Sequence, residues 1–209
     1  MKTSFIIAAF ISITFFSCKN DKNVEDTAED QLETEMPMEN ALMKAMEVSN
    51  DSINKVKATG DFDYDFAKLM LSHHQMAVDM SQVVIAQGTD ATVKNMAKAI
   101  VAVQQTEISE LQFFIKNRKI LKTNLQSSES TEVANEMKSM MDKMHDVKMS
   151  GEVDKDFVAM MIPHHESAVT MAKKQLLFGS DDGLKALAKN IIKNQNFEIE
   201  SFKVWQSKL

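Results

Sequence analysis

Residues 63–80 read DYDFAKLMLSHHQMAVDM, and residues 154–171 read DKDFVAMMIPHHESAVTM. The second stretch is the first one repeated 91 positions later. Laid over each other without a gap, 60–108 and 151–199 share 19 of 49 residues, far more than chance supplies, so the chain contains an internal duplication. Within each copy Phe66/Phe157, Met70/Met161, His73/His164, His74/His165 and Ala77/Ala168 fall on one face at about 100° per residue. That period makes the stretch a helix with two adjacent histidines near the middle of its apolar face.

Working outward, Asp63 or Asp65 is placed to N-cap a helix that runs through Gln87, with Gly88 as the residue just past its end. Thr89 or Asp90 then caps a second helix reaching about Leu121, on which Val93, Ala97, Ile100, Ile108 and Leu111 keep the helical period. The second copy repeats the plan from Asp154 to Phe178 and from Asp181 to about Gln206, with Gly179 between. A shorter Met-bearing helix precedes each copy, over about Glu39–Ala58 and Thr131–Met149. Pro163 is the local conflict, because a proline inside a helix removes a hydrogen bond; a kink or a late helix start is expected there. Four long antiparallel helices joined by short turns imply an all-α fold, a four-helix bundle built from two tandem repeats with additional shorter helices.

Composition agrees. Two prolines and five glycines are too few to punctuate many short strands, and aromatic residues make up only 7%. With 24 Lys+Arg against 30 Asp+Glu, and Arg118 the single arginine, the chain is a poor electrostatic match for nucleic acid. No serine or cysteine nucleophile motif, Gly-rich phosphate loop or zinc-protease motif is present to support a hydrolase, so no enzymatic activity is expected.

The N-terminus reads as an address. Lys2 is followed by the 12-residue apolar run Phe5–Phe16, then Ser17-Cys18. The run suits the core of a signal peptide and is well short of the roughly 20 residues of a membrane span. Phe-Phe-Ser-Cys resembles a bacterial lipobox, in which Cys18 would be lipidated; the alternative is an ordinary secretory signal with an incidental cysteine. Residues 1–17 are therefore expected to be a lipoprotein signal peptide and 18–35 a polar disordered tether. The two helical repeats are expected over 36–122 and 132–209, with a Ser/Thr-rich linker at 123–131. The mature protein is expected in the cell envelope, anchored to the membrane on the periplasmic or outer-membrane side.

Polar side chains occupy the stripe that should face the core. Gln104 and Glu107 lie within the apolar face of the second helix, and Gln195 and Glu198 do so in the repeat. Each unit thus aims two imidazoles, an amide and a carboxylate at the bundle interior, where polar groups must be paired. A hydrogen-bonded Glu–His–Gln network would satisfy them without any ligand. A metal site would too, since neutral imidazole is a common ligand and an acidic residue can hold its other nitrogen. Among 17 methionines, Met137, Met140, Met141 and Met144 recur at i, i+3, i+4, i+7 with His145 next; Met36, Met38, Met43 and Met46 precede the first unit. Thioethers are soft ligands that suit Cu(I), although methionine also serves simply as an adaptable core residue.

The pattern Asp-Phe-x3-Met-x2-His-His-x2-Ala-Val-x-Met, followed by Gln-x2-Glu-Ile, resembles the bacterial family called domain of unknown function 305. Both units carry it, so the resemblance covers about residues 60–209. It implies a ferritin-like helical bundle, export, and for some members copper binding. It also implies His73, His74, His164 and His165 as functional positions, with Met70, Met80, Met161 and Met171 next.

Three functions follow as expectations. The first is an exported, lipid-anchored copper-binding protein, Cu(I) favoured, that sequesters or hands over the metal without catalysis. Its ligands would be those histidines and methionines, with Gln104, Glu107, Gln195 and Glu198 supporting them and Met137–His145 as a second candidate region. The second is an envelope interaction protein with a structural polar core, needing no cofactor. The third, a di-iron protein, lacks Glu-x-x-His motifs and has few interior carboxylates. The metal ion and, through the lipid, the membrane are the expected partners; no protein partner is indicated.

Overall fold

The computed structural model describes residues 38–53, 56–120 and 128–209, which form six helices. These are α1 (Met38–Ile53), α2 (Phe62–Gln87), α3 (Ala91–Asn117), α4 (Ser128–His145), α5 (Val153–Phe178) and α6 (Asp182–Gln206). No strand occurs among the described residues. The signal segment, Cys18, the tether, Met36 and residues 123–127 of the expected linker lie outside them.

The fold is all-α, and its four long helices are α2, α3, α5 and α6. At its centre α2 packs on α5; α3 covers α2, α6 covers α5, and the short helices α1 and α4 pack on α2 and α5 respectively. Phe66, Phe157, Phe202, Met70, Met80 and Met161 are buried in one continuous apolar core.

Several boundaries differ from the sequence expectations for identifiable reasons. The N-cap of α2 is Asp61, whose carboxylate accepts from the Tyr64 amide at 3.3 Å. Glu152 occupies the equivalent place before α5 without a side-chain cap bond. Asp65 and Asp156 instead turn back on the preceding loop. Asp65 accepts from the Thr59 amide (2.8 Å) and from Ser130 Oγ (2.8 Å), and Asp156 accepts from the Ser150 amide (2.7 Å). Those loops contain Gly60 at φ 85° and Gly151 at φ 83°, conformations that favour glycine. The helix α3 stops at Asn117, short of Leu121, where Arg118 leaves the helix and its guanidinium reaches Asp61 at 2.9 Å. α1 ends at Ile53, and α4 covers Ser128–His145, beginning inside the stretch expected to be linker.

Gly88 and Gly179 are not left-handed caps. Both have extended backbone, φ −64° and −66°. Space explains Gly88: a Cβ there would lie 2.5 Å from Asp154 Oδ1. α5 is continuous through Pro163, so the expected late start does not occur.

Candidate metal centre

Asp90 and Asp181 cap α3 and α6 as expected, whereas Asp63 and Asp154, expected to start α2 and α5, instead tie the two repeats together. Asp63, on α2, accepts from the amides of Ser180 (3.0 Å) and Asp181 (3.1 Å), from Ser180 Oγ, and from Gln175 Nε2 at 2.7 Å. Asp154, on α5, does the same to the opposite turn, accepting from the Thr89 and Asp90 amides at 2.8 and 2.9 Å. Each central helix therefore holds the turn that follows the other one. Burial raises the Asp63 pKa, but the hydrogen bonds from Ser180 and Gln175 outweigh it and leave the carboxyl below its usual range.

Between these two latches the histidines form a row. The ring centroids of His74 and His73 are 6.1 Å apart, those of His73 and His164 are 3.8 Å apart, and those of His164 and His165 are 5.8 Å apart. All four side chains are fully buried. The inner rings cross-link α2 and α5: His73 Nε2 donates to the His164 carbonyl, and His164 Nε2 to the His73 carbonyl, both at 3.1 Å. A carboxylate ends the row on either side. His74 Nε2 is bonded to Glu107 Oε2 at 2.7 Å, and His165 Nε2 lies 2.9 Å from Glu198 Oε2 without the alignment of a hydrogen bond.

These bonds decide where the lone pairs are. A carbonyl only accepts, so the Nε2 atoms of His73 and His164 carry protons, and the neutral ring then has its lone pair on Nδ1. Burial, joined by repulsion from neighbouring imidazoles, holds both rings well below the usual histidine pKa, and they are neutral at pH 7. The Nδ1 atoms of all four histidines are buried without a hydrogen-bond partner. At His73 and His164 the arrangement presents unprotonated, unpaired Nδ1 atoms in a buried interior.

The other expected residues fall into two groups. Met70 and Met161 lie one turn before the histidines and are fully buried. Met80 and Met171 are equally buried and sit about 10 Å along the axis beyond the first histidine of their helix. Gln104 and Gln195 are buried but their amides bond to no protein group, so they are not part of a Glu–His–Gln network. Met137, Met140, Met141 and Met144 are all core residues, whereas His145 is exposed. Met137 and Met141 do line one surface groove with His145. Among the described residues, no three His, Cys, Asp or Glu side chains are grouped to hold an ion.

Asn194 is a member of the site that sequence reading missed. Its Nδ2 approaches Glu107 Oε1 at 3.5 Å, linking α6 to the carboxylate on α3. The repeat gives no signal for it, because the first unit has Val103 at that place. The identity of Asp63 and Asp154 could have marked the latches, but nothing local distinguishes a latch from a cap.

The profile of the family described as a domain of unknown function (DUF305) matches twice, over residues 16–115 and 116–206. Among solved structures, CopM in its Ag-bound form is 25% identical with a TM-score of 0.54, covering 70% of this chain and 96% of its own. CopM in the Cu(I)-bound form, also 25% identical, gives 0.52 over 70% and 96%. A DUF305 fragment from Deinococcus radiodurans, 20% identical, gives 0.55 over 73% and 100% and shares the fold. No curated protein matches the chain.

Proposed function

This chain belongs to the family described as a domain of unknown function (DUF305), and we propose that it binds Cu(I) through the buried histidine row. The observation that carries this reading is the set of unpaired Nδ1 atoms. An imidazole nitrogen sealed from water without a donor is costly, and a soft cation would use that lone pair. His73, His74, His164 and His165 are the proposed ligands, with Met70 and Met161 the nearest thioethers. Glu107 and Glu198 would orient the outer rings and offset the charge of the ion. CopM, which has the same fold, has been seen with Cu(I), Cu(II) and Ag bound, which supports the reading.

The proposed role is sequestration or handover of copper in the cell envelope, without catalysis. Export and a lipid anchor at Cys18 belong to the same proposal. Among the described residues no helix is long and apolar enough to cross a membrane; in this proposal the lipid supplies the attachment. Cys18→Ala should abolish partition with membranes, and unchanged fractionation would refute the anchor.

The copper reading is tested by titrating the purified protein with Cu(I) and Ag(I), then repeating with His73→Ala/His164→Ala. Loss of the tight phase is expected, and retention of it would refute the ligand assignment. One observation favours a second reading, a structural polar core: the reciprocal bonds of His73 and His164 already cross-link α2 and α5. A wild-type protein that binds neither ion would establish that alternative.

Burial also alters the expected acid response. An exposed imidazole loses metal as pH drops through about 6. With His73 and His164 held well below that range, proton competition at the inner pair begins at lower pH.

A further inference from the structure

The four imidazoles are fully buried, so an ion must reach them through the protein. The member of the row open to solvent to an appreciable degree is Glu198, whose side chain is 16% exposed against 7% for Glu107. Glu198 lines a groove of ≈ 510 Å³ between α3 and α6, two helices whose backbones scarcely approach each other. The wall of that groove also contains Met96, Asn194 and Phe202. Phe202 is the ring between the groove and the row: it packs edge-on against His165 at 5.6 Å.

A second groove of ≈ 650 Å³ also lies between α3 and α6 and serves as an internal control. Phe113, Phe114 and Leu187 line it together with Glu110, Asn117, Arg118 and Asp181, but no methionine and neither carboxylate of the row does. The difference originates in the sequence. Met96 of the first unit corresponds to Leu187 of the second, and Asn194 of the second corresponds to Val103 of the first. The first groove thus pairs a thioether, Met96, with a carboxylate of the row, Glu198, whereas the second has polar groups but neither a thioether nor a carboxylate of the row.

We propose that this groove is the port through which a soft monovalent cation reaches the buried histidines, with Met96 and Glu198 as the groups that take it up from solvent. The inference rests on the copper reading above and adds the route. Cargo meets the Met96 thioether and the Glu198 carboxylate, then passes to His165, the end of the row in contact with Glu198. The port acts on the rate of loading. The imidazoles set the affinity.

The test is stopped-flow loading of the intact protein with Ag(I), and with Cu(I) under anaerobic conditions, alongside equilibrium titration. Ala99 lines the port and is exposed; Ser109 lines the control groove and is exposed. Ala99→Trp is expected to slow loading by about tenfold with unchanged final stoichiometry, whereas Ser109→Trp leaves the rate at the wild-type value. Met96→Leu, which keeps the side-chain volume, should slow loading without shifting the equilibrium constant. Equal rates in wild type, Ala99→Trp and Met96→Leu would overturn the port, as would equal slowing by the two tryptophans. A wild-type protein that takes up no ion overturns the copper reading and the port together. Normal uptake with rates indifferent to all three substitutions overturns the port alone.

Discussion

The two repeats place the same motif in different surroundings. In the first, His74 and Glu107 make an aligned 2.7 Å hydrogen bond, and the carboxylate is nearly sealed. In the second, His165 and Glu198 are 2.9 Å apart but misaligned, and the carboxylate meets a groove. The inner pair, His73 and His164, is shared and matched: each ring bonds the other residue's carbonyl at the same 3.1 Å. Duplication gave a symmetric centre, and divergence at a few flanking positions made its two ends unequal.

The largest expected effect tests the shared pair. Both imidazoles are held below the ordinary histidine pKa in the folded state, while the unfolded chain takes up protons near pH 6.5. Below that pH the unfolded state binds more protons, so stability is lost as pH falls from 6.5 towards the folded-state pKa. The slope approaches about 1.4 kcal/mol per pH unit for each ring, or about 2.7 for the pair. Urea unfolding of the apo-protein between pH 7 and 5 should show this slope, and His73→Gln/His164→Gln should flatten it. An unchanged slope in that variant would show that other groups dominate the acid response.

The latches come next. Asp63→Ala strands the Ser180 and Asp181 amides, the Gln175 side chain and part of the Arg118 charge, and should cost about 2–4 kcal/mol. Asp154→Ala strands the Thr89 and Asp90 amides and no cation, and should cost less, about 1–3 kcal/mol. Chemical denaturation of the two variants ranks them, and a larger loss at Asp154 would contradict the geometry.

The carboxylates at the ends of the row should differ more subtly. Glu107→Gln replaces the acceptor of an aligned buried bond and is expected to cost about 1–2 kcal/mol, against less than about 1 for Glu198→Gln. Equal costs would mean that the two ends are equivalent in solution. Smallest of all, Met137→Leu and Met141→Leu should each cost under about 1.5 kcal/mol, because both thioethers pack in the core and leucine nearly conserves the volume. Loss of an Ag(I)-binding phase in those variants would show that the groove they share with His145 holds an ion.

Much of the fold could be read from the sequence because it is local or repeated. The helical period of Phe66, Met70, His73 and Ala77 implies a buried face whatever packs on it, and the 91-residue offset copies that reading to Phe157, Met161, His164 and Ala168. The same periodicity put Glu107 and Glu198 on the inward face; the structure places both beside the outer histidines, Glu107 buried and Glu198 partly open to solvent. The Met137–Met144 stripe was equally legible as a helix face, but periodicity does not separate a ligand array from core packing, and all four residues are core.

What sequence alone determined is therefore the all-α class, the duplicated unit and the residues that face inward, since each depends on backbone period and side-chain polarity along one helix. The tertiary structure decided the pairing between helices. It made Asp63 and Asp154 latches across the repeats rather than caps of their own helices, because the turns whose amides donate to them are more than 60 residues away. It turned the unpaired lone pairs of His73 and His164 to Nδ1, because only the packing of α2 on α5 brings each Nε2 to the opposite carbonyl. And it opened one end of the row through Glu198, because the gap between α3 and α6 depends on how the α2–α3 and α5–α6 pairs pack against each other.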